Sequence, residues 1–321
     1  MEYKITAYLL ILIFFCNGCI SQVKTNTMDI KKFGEEIINE VQRYPNEPMY
    51  YIGMYNKKCS FQVLINDMPI WSFFKEGGMS GTMLPINVMV SKSGQQTITI
   101  KVYPSKTPNK ILGSVIDSNA RLQISLSVTD WKNKLPMKLI NKSLILLPVI
   151  NGNAACVGLP YAVYSTTFEL QVPYETRSWE GGVNLTKEDS SMLQKEVLAI
   201  YQKVRQMWAD KELLKIFIYN KKTYFSALQS QYRDSTVWKE YSNDLVKLLN
   251  NKTFEMEPLE HYVVNFYANG KVVALQRSDL WNRNRSALLK GYTRDNGDER
   301  TETEALYLYR PTKNVPLEPI R

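Results

Sequence analysis

The apolar residues of this chain change their spacing three times along its length, and that change limits the fold more than any motif does. From about residue 49 the period is two. Cys59, Phe61, Val63 and Ile65 alternate with polar neighbours such as Ser60 and Gln62, and Ile98, Ile100 and Val102 with Thr97, Thr99 and Lys101. Leu122, Ile124, Leu126 and Val128 follow the same rule, as do Phe168, Leu170 and Val172. Successive side chains of a strand point to opposite faces, so each run presents one apolar and one polar side, as half-buried antiparallel strands do. Several such runs separated by turn signals, with no strong helical pattern between them, predict an all-β sandwich over residues 46–174.

The period then becomes helical and returns to two. Pro173, Gly181 and Gly182 mark a boundary, with a linker at residues 175–184. Thr186 and Asp189 read as a capping box, and Leu193, Val197, Ile200, Val204, Met207 and Trp208 form one stripe behind it. Further helical patterns run through Leu213, Leu214 and Phe217, and over Thr236 to Asn250, with Trp238, Leu245, Leu248 and Leu249 facing inward. After Pro258, Asn269-Gly270 is flanked by two alternating runs, His261 to Ala268 and Lys271 to Arg277. Asn-Gly is a strong hairpin signal because both central residues need positive φ. A second pair, Ala287 to Arg294 and Thr303 to Tyr309, brackets Asn296-Gly297. Helices first and an antiparallel meander last predict a C-terminal α+β domain over residues 185–310. Pro311, Pro316 and Pro319 imply an extended tail over residues 311–321.

Ahead of the strands, Ile30, Phe33, Ile37, Ile38 and Val41 recur at helical spacing, with Asp29 to cap and Pro45 to stop. This amphipathic helix (29–45) has a mixed polar face, so it is expected to pack on the domain behind it rather than lie on a membrane. Residues 1–18 have the layout of an export signal: a charged start with Lys4, an apolar run from Tyr8 to Phe15, and an exit at Gly18-Cys19. The run is shorter than the roughly 20 residues of a membrane-spanning helix. The Gly18-Cys19 end resembles the lipobox of bacterial lipoproteins, with Cys16 where that family usually has an aliphatic residue. The resemblance implies cleavage before Cys19, lipidation of Cys19, and a polar tether over residues 19–28. It places the protein in the bacterial cell envelope, on the periplasmic side or at the outer-membrane surface, held to the membrane by its lipid anchor.

The net charge of +9 is spread evenly: residues 20–182 hold 17 basic and 12 acidic side chains, residues 183–321 hold 22 and 18. A nucleic-acid binder concentrates such charge on one face, so no nucleic acid is expected; the balance suits anionic lipid or an acidic protein surface. His261 is the sole histidine, which limits both acid–base chemistry and metal binding. Beyond Cys16 to Cys19 of the leader no Cys-x-x-Cys spacing occurs, nor a Gly-x-Ser-x-Gly elbow or complete P-loop, and no cofactor, metal site or catalytic set is expected. Gly77, Gly78 and Gly81 read as a flexible connection, and the cluster from Asp295 to Glu299 as a solvated hairpin tip. Cys59 and Cys156 would share a core and, in an oxidising compartment, are candidates for a disulfide, the alternative being two unpaired core thiols.

Trp281, Arg283 and Arg285 are the candidate contact for an acidic partner, since Trp and Arg dominate interface hot spots; the alternative is a connecting loop with Trp281 tucked under it. Asn141, Asn184, Asn251 and Asn284 begin Asn-x-Ser/Thr triplets, which in a bacterium are coincidence. At fold level, the turn and strand from Gly94 to Tyr103 look like the edge hairpins of immunoglobulin-like and jelly-roll domains. The C-terminal order of elements resembles the NTF2-like and cystatin-like superfamilies, whose curved sheet leaves a cavity. In general character the chain looks like the lipid-anchored immunity proteins that neutralise toxins delivered into the periplasm. The expected function is therefore non-enzymatic binding of a protein partner. A glycan-binding surface lipoprotein and a cavity enzyme with a weakly marked active site are the alternatives.

Overall fold

The computed structural model describes residues 27–107, 112–147, 149–150, 153–279 and 283–320. The expected export signal over residues 1–18, Cys19 with most of the expected tether, and Trp281 lie outside them. The N-terminal part consists of α1 (Thr27–Glu40), β1 (Met49–Lys57), β2 (Cys59–Ile65), β3 (Met68–Phe73), β4 (Met79–Pro85), β5 (Gly94–Pro104), β6 (Arg121–Asp130), β7 (Leu135–Leu146), β8 (Val149–Ile150), β9 (Asn153–Ala154) and β10 (Ala162–Leu170). The C-terminal part consists of α2 (Ser190–Ala209), α3 (Leu213–Tyr219), α4 (Lys221–Ser230), α5 (Ser235–Asn250), β11 (Glu255–Met256), β12 (Tyr262–Tyr267), β13 (Val272–Arg277), β14 (Leu288–Thr293), β15 (Glu299–Glu304), β16 (Leu308–Tyr309) and β17 (Glu318–Pro319). A β-rich part thus precedes an α+β region. Among the described residues, no helix is long and apolar enough to cross a membrane.

The alternating residues build two four-stranded antiparallel sheets, ordered β4-β1-β6-β7 and β10-β5-β2-β3. Ile52, Met54, Leu122 and Ile124 from the first sheet and Phe61, Val63, Ile98 and Ile100 from the second are buried in one apolar cluster. The glycines of the 75–82 stretch fall in and after the crossing from β3 to β4, which carries the chain from one sheet to the other.

Helix α1 does not pack on the strands that follow it. Ile30, Phe33 and Ile37 join the second apolar cluster, with Phe217 and Trp238 of the C-terminal helices. Phe33 lies 5.7 Å from the Phe217 ring and 5.6 Å from that of Trp238. The capping box is replaced by two separate caps. Asn184 accepts from the Thr186 amide at the start of a single 3-10 turn, and Asp189 alone caps α2 through the Met192 amide at 2.8 Å. Tyr201 fills the buried stripe of α2 in place of Ile200, its hydroxyl donating to the Leu306 carbonyl (2.5 Å) and accepting from the Leu275 amide (3.0 Å).

Instead of one meander, the late strands form a three-stranded sheet, β11-β14-β15, and a four-stranded sheet, β12-β13-β16-β17. The strand returning from Asn296-Gly297 is Glu299–Glu304, not Thr303 to Tyr309, with Thr293 opposite Glu299 and Leu288 opposite Glu304. It is an outer strand bathed in solvent, so it carries charge where the pattern called for apolar residues. The tail also turns back: β17 pairs with β16, and Arg177 holds it through an ion pair with Glu318 and a 2.8 Å bond to the Pro319 carbonyl. Tyr267, Val272 and Tyr309 extend the apolar cluster of the N-terminal sheets, so the two regions share packing across the 175–184 segment.

Candidate functional site

Two turns meeting tip to tip set the geometry of the site. Asn66 and Asp67, at φ 52° and 59°, turn β2 into β3. Ala268, Asn269 and Gly270, also at positive φ, turn β12 into β13 through a four-residue loop rather than the two-residue one expected. The Ala268 amide donates to the Asp67 carbonyl at 3.3 Å, and the Asn269 amide to Asp67 Oδ2 at 2.9 Å. This contact places β3 of the N-terminal part close to β15 of the C-terminal part, and a cleft of about 670 Å³ lies between them.

The walls are strand edges. Pro69 to Phe73 and Thr301 to Thr303 line the cleft as unbroken runs. Because alternate side chains of a strand face opposite ways, a wall made of consecutive residues is a strand seen edge-on. Both strands are outermost in their sheets, β3 pairing only with β2 and β15 only with β14. Trp71 and Tyr307 add aromatic surface, Arg285 and Lys75 positive charge, and Glu302 negative charge. A cavity of about 110 Å³ shares Asn284, Arg285, Thr303 and Tyr307 with the cleft and extends to Gln276 and Tyr201. Tyr267 donates to Gln276 Oε1, which also accepts from Asn265 at 2.8 Å. Among the described residues, the buried Trp71 Nε1 and Gln276 Nε2 have no acceptor, a costly state for a buried N–H. Burial pushes the Tyr267 and Tyr201 hydroxyls far above the ordinary tyrosine range, so both stay protonated and act as hydrogen-bond groups.

The residues singled out in the sequence separate. Arg283 is turned inward: its guanidinium lies 5.5 Å from the Phe74 ring centre and 5.6 Å from that of Tyr103. It therefore joins the two regions by cation–π contact. Burial, ahead of Tyr161, pushes the Tyr103 hydroxyl up to about 12, while Arg283 works in the opposite direction. Arg285 is exposed and lines the cleft, two residues further along the same loop. His261 is exposed at φ 49°, with Nε2 3.6 Å from Glu260 Oε2, and does not line the cleft.

Cys59 and Cys156 are both buried and both free in the structure. Burial pushes the Cys59 thiol up to about 12 against the Asn56 hydrogen bond, and a charge on Cys156 would raise it further, so the thiol stays protonated. At the β14–β15 turn, Arg300 pairs with Asp298 at 3.0 Å, and among the described residues no three His, Cys, Asp or Glu side chains are grouped to hold a metal. A wider groove of about 1080 Å³ runs between α5 and that turn, lined by Asp244, Lys247, Arg294 and Asp295 among others. It is a surface of mixed charge.

Sequence reasoning missed Trp71 and Tyr307. Pro69 was the available signal for β3, since proline within a strand marks an outer position. No family model matches this chain, and neither curated proteins nor solved structures give a match.

Proposed function

We propose that this protein is a lipid-anchored, non-enzymatic binding protein of the bacterial envelope that captures an extended segment of a partner protein in the cleft between β3 and β15. The observation carrying this reading is the pair of strand edges on facing walls. An outer strand offers unpaired amides and carbonyls to an incoming extended chain, and main-chain pairing supplies affinity while side-chain pockets supply specificity. Trp71 and Tyr307 give such a chain apolar contact, and Arg285 favours an acidic side chain upon it. In this reading the two N-terminal sheets are a sandwich domain of immunoglobulin-like or jelly-roll-like type, and the C-terminal α+β domain closes the site. A partner of this kind fits an immunity-type role against a toxin delivered into the periplasm.

Affinity capture from envelope extracts tests the reading. The full chain is expected to retain a protein partner that Arg285→Glu loses, with the loss greater at low salt, where charge is least screened. His261→Ala should capture as the parent does. Retention of the partner by Arg285→Glu, together with its loss in correctly folded His261→Ala, would favour chemistry at the histidine instead. The anchor is tested separately: Cys19→Ser should move the protein from the membrane pellet to the soluble envelope fraction, and unchanged pelleting would assign membrane attachment to another segment.

A further inference from the structure

Among the described residues, the β6–β7 hairpin gathers more exposed large apolar side chains than any other pair of strands joined by a turn. Trp131 at its turn is 59% exposed, and Leu135, Met137, Leu139, Ile140 and Leu146 along β7 are 47% to 56% exposed. Large apolar side chains scattered singly over a surface are ordinary; six on one hairpin are a patch of the kind that marks an interaction surface. The same hairpin is basic. From Trp131 to Phe168 the sequence has four lysines and no acidic residue. Lys132 is tied down to the Tyr44 carbonyl and lies 3.8 Å from Glu47, whereas Lys134, Lys138 and Lys142 are exposed and, among the described residues, make no ion pair.

We infer that this hairpin rests on an anionic lipid bilayer, its apolar side chains entering the interface and its lysines meeting the headgroups. The irregular register of β7 selects this occupant over a second copy of the chain. β7 is the outer strand of its sheet, and its pairing with β6 shifts at three places, so that Leu135 to Leu146 oppose only Gln123 to Asp130. One shift leaves the adjacent Leu139 and Ile140 both exposed. The three shifts leave no more than two consecutive residues of β7 in regular register, too few for a partner strand's ladder, whereas β3 keeps Trp71 to Phe73 in register with its neighbour. A bilayer requires no ladder. It rewards exposed Trp and aliphatic groups at the interface and lysines near an anionic surface. This contact is independent of the cleft and of the lipid on Cys19.

Full-length protein carrying Cys19→Ser is mixed with phosphatidylcholine vesicles, with or without one-third phosphatidylglycerol, and its partition is measured by sedimentation. The leader is common to every variant, so the ratio between variants reports the hairpin. Binding should be tighter on the anionic vesicles and weaken with added salt. Each lysine near such a surface is worth about fivefold, so Lys134→Gln, Lys138→Gln and Lys142→Gln together should weaken it by about a hundredfold. Leu139→Ser should weaken binding to the anionic vesicles, and brominated lipid should quench the fluorescence lost in Trp131→Phe. Near-ultraviolet circular dichroism confirms that each variant remains folded. Equal binding to both vesicle types, unchanged by the lysine substitutions, would overturn the inference. So would a dimer in analytical ultracentrifugation that Leu139→Ser dissociates, or capture of an acidic protein by the hairpin without any vesicle binding.

Discussion

Gly34 illustrates how one residue decides which element α1 packs against. A Cβ built on it would stand 2.0 Å from Trp238 Nε1 and 2.2 Å from Cδ1 of the same ring. Only a bare Cα lets the indole lie against the helix, where it meets Phe217 at 4.9 Å, Tyr224 at 5.8 Å and Tyr241 at 6.1 Å between ring centres. Alanine would gain about 1 kcal/mol in helix propensity. Driving a ring out of a packed cluster costs about 1–3 kcal/mol, and a contact this short lies at the upper end. Gly34→Ala is therefore expected to lower stability by about 1–2 kcal/mol in a denaturant titration, and Trp238→Phe in the same chain should recover part of the loss. A neutral or stabilising Gly34→Ala would mean that α1 does not press on Trp238. The sequence made the helix and its buried face legible through Ile30, Phe33 and Ile37. It did not reveal where that face docks, because its partner lies some two hundred positions later and periodicity carries no information about contacts so distant.

Among the elements, strands were legible where a buried face or a turn signal marks them, as Asn269-Gly270 marks β12, and illegible where neither does. β5 and β6 alternate because the core takes nearly every second side chain, whereas β2 is buried on both faces, Ser60 and Gln62 included. β15 and β7 face water with nearly every residue, so no burial period marks them. The same reason concealed the β15 wall of the candidate site: Arg285 stood out by residue type, but Thr301 to Thr303 lie on a strand without a burial period. The tail was read as extended from its prolines, and it is attached to the body by pairing with β16, by the buried Leu317 and Ile320, and by an ion-pair clamp. Arg310 lies 2.8 Å from Glu188 and 2.7 Å from Glu196, and Glu196 also accepts from the Leu317 amide at 3.0 Å. Burial raises the Glu196 carboxyl, but the Arg310 hydrogen bond, the Leu317 amide and the Arg310 charge together outweigh it and hold it below its ordinary 4.5. A carboxylate depressed in the folded state contributes stability above its unfolded value and loses it as pH falls through the folded one. The tail is thus expected to loosen in acid, at pH below the ordinary carboxyl value of 4.5. Hydrogen exchange at the Leu317 amide should accelerate there, and Glu196→Gln should exchange faster at neutral pH and show less of the acid response. Identical exchange in the two proteins at neutral pH would show that the clamp does not hold the tail.

At the scale of the whole molecule, the cleft exists because the two regions are fixed together. The Asp67 turn meets the β12–β13 turn, Arg283 reaches across to Phe74 and Tyr103, and Arg177 ties the connecting segment to β17. Those contacts join residues from opposite ends of the chain, and they convert two outer strands into facing walls. A photoreactive benzoylphenylalanine placed at Ser72 or Thr303 of the full-length protein, and activated in intact cells, examines those walls directly. The cleft predicts a crosslinked protein partner from both positions, lost in Arg285→Glu, and none from Lys239 on the exposed face of α5. Crosslinks to a partner from Lys239 but from neither Ser72 nor Thr303 would contradict the assignment of the cleft as the binding site.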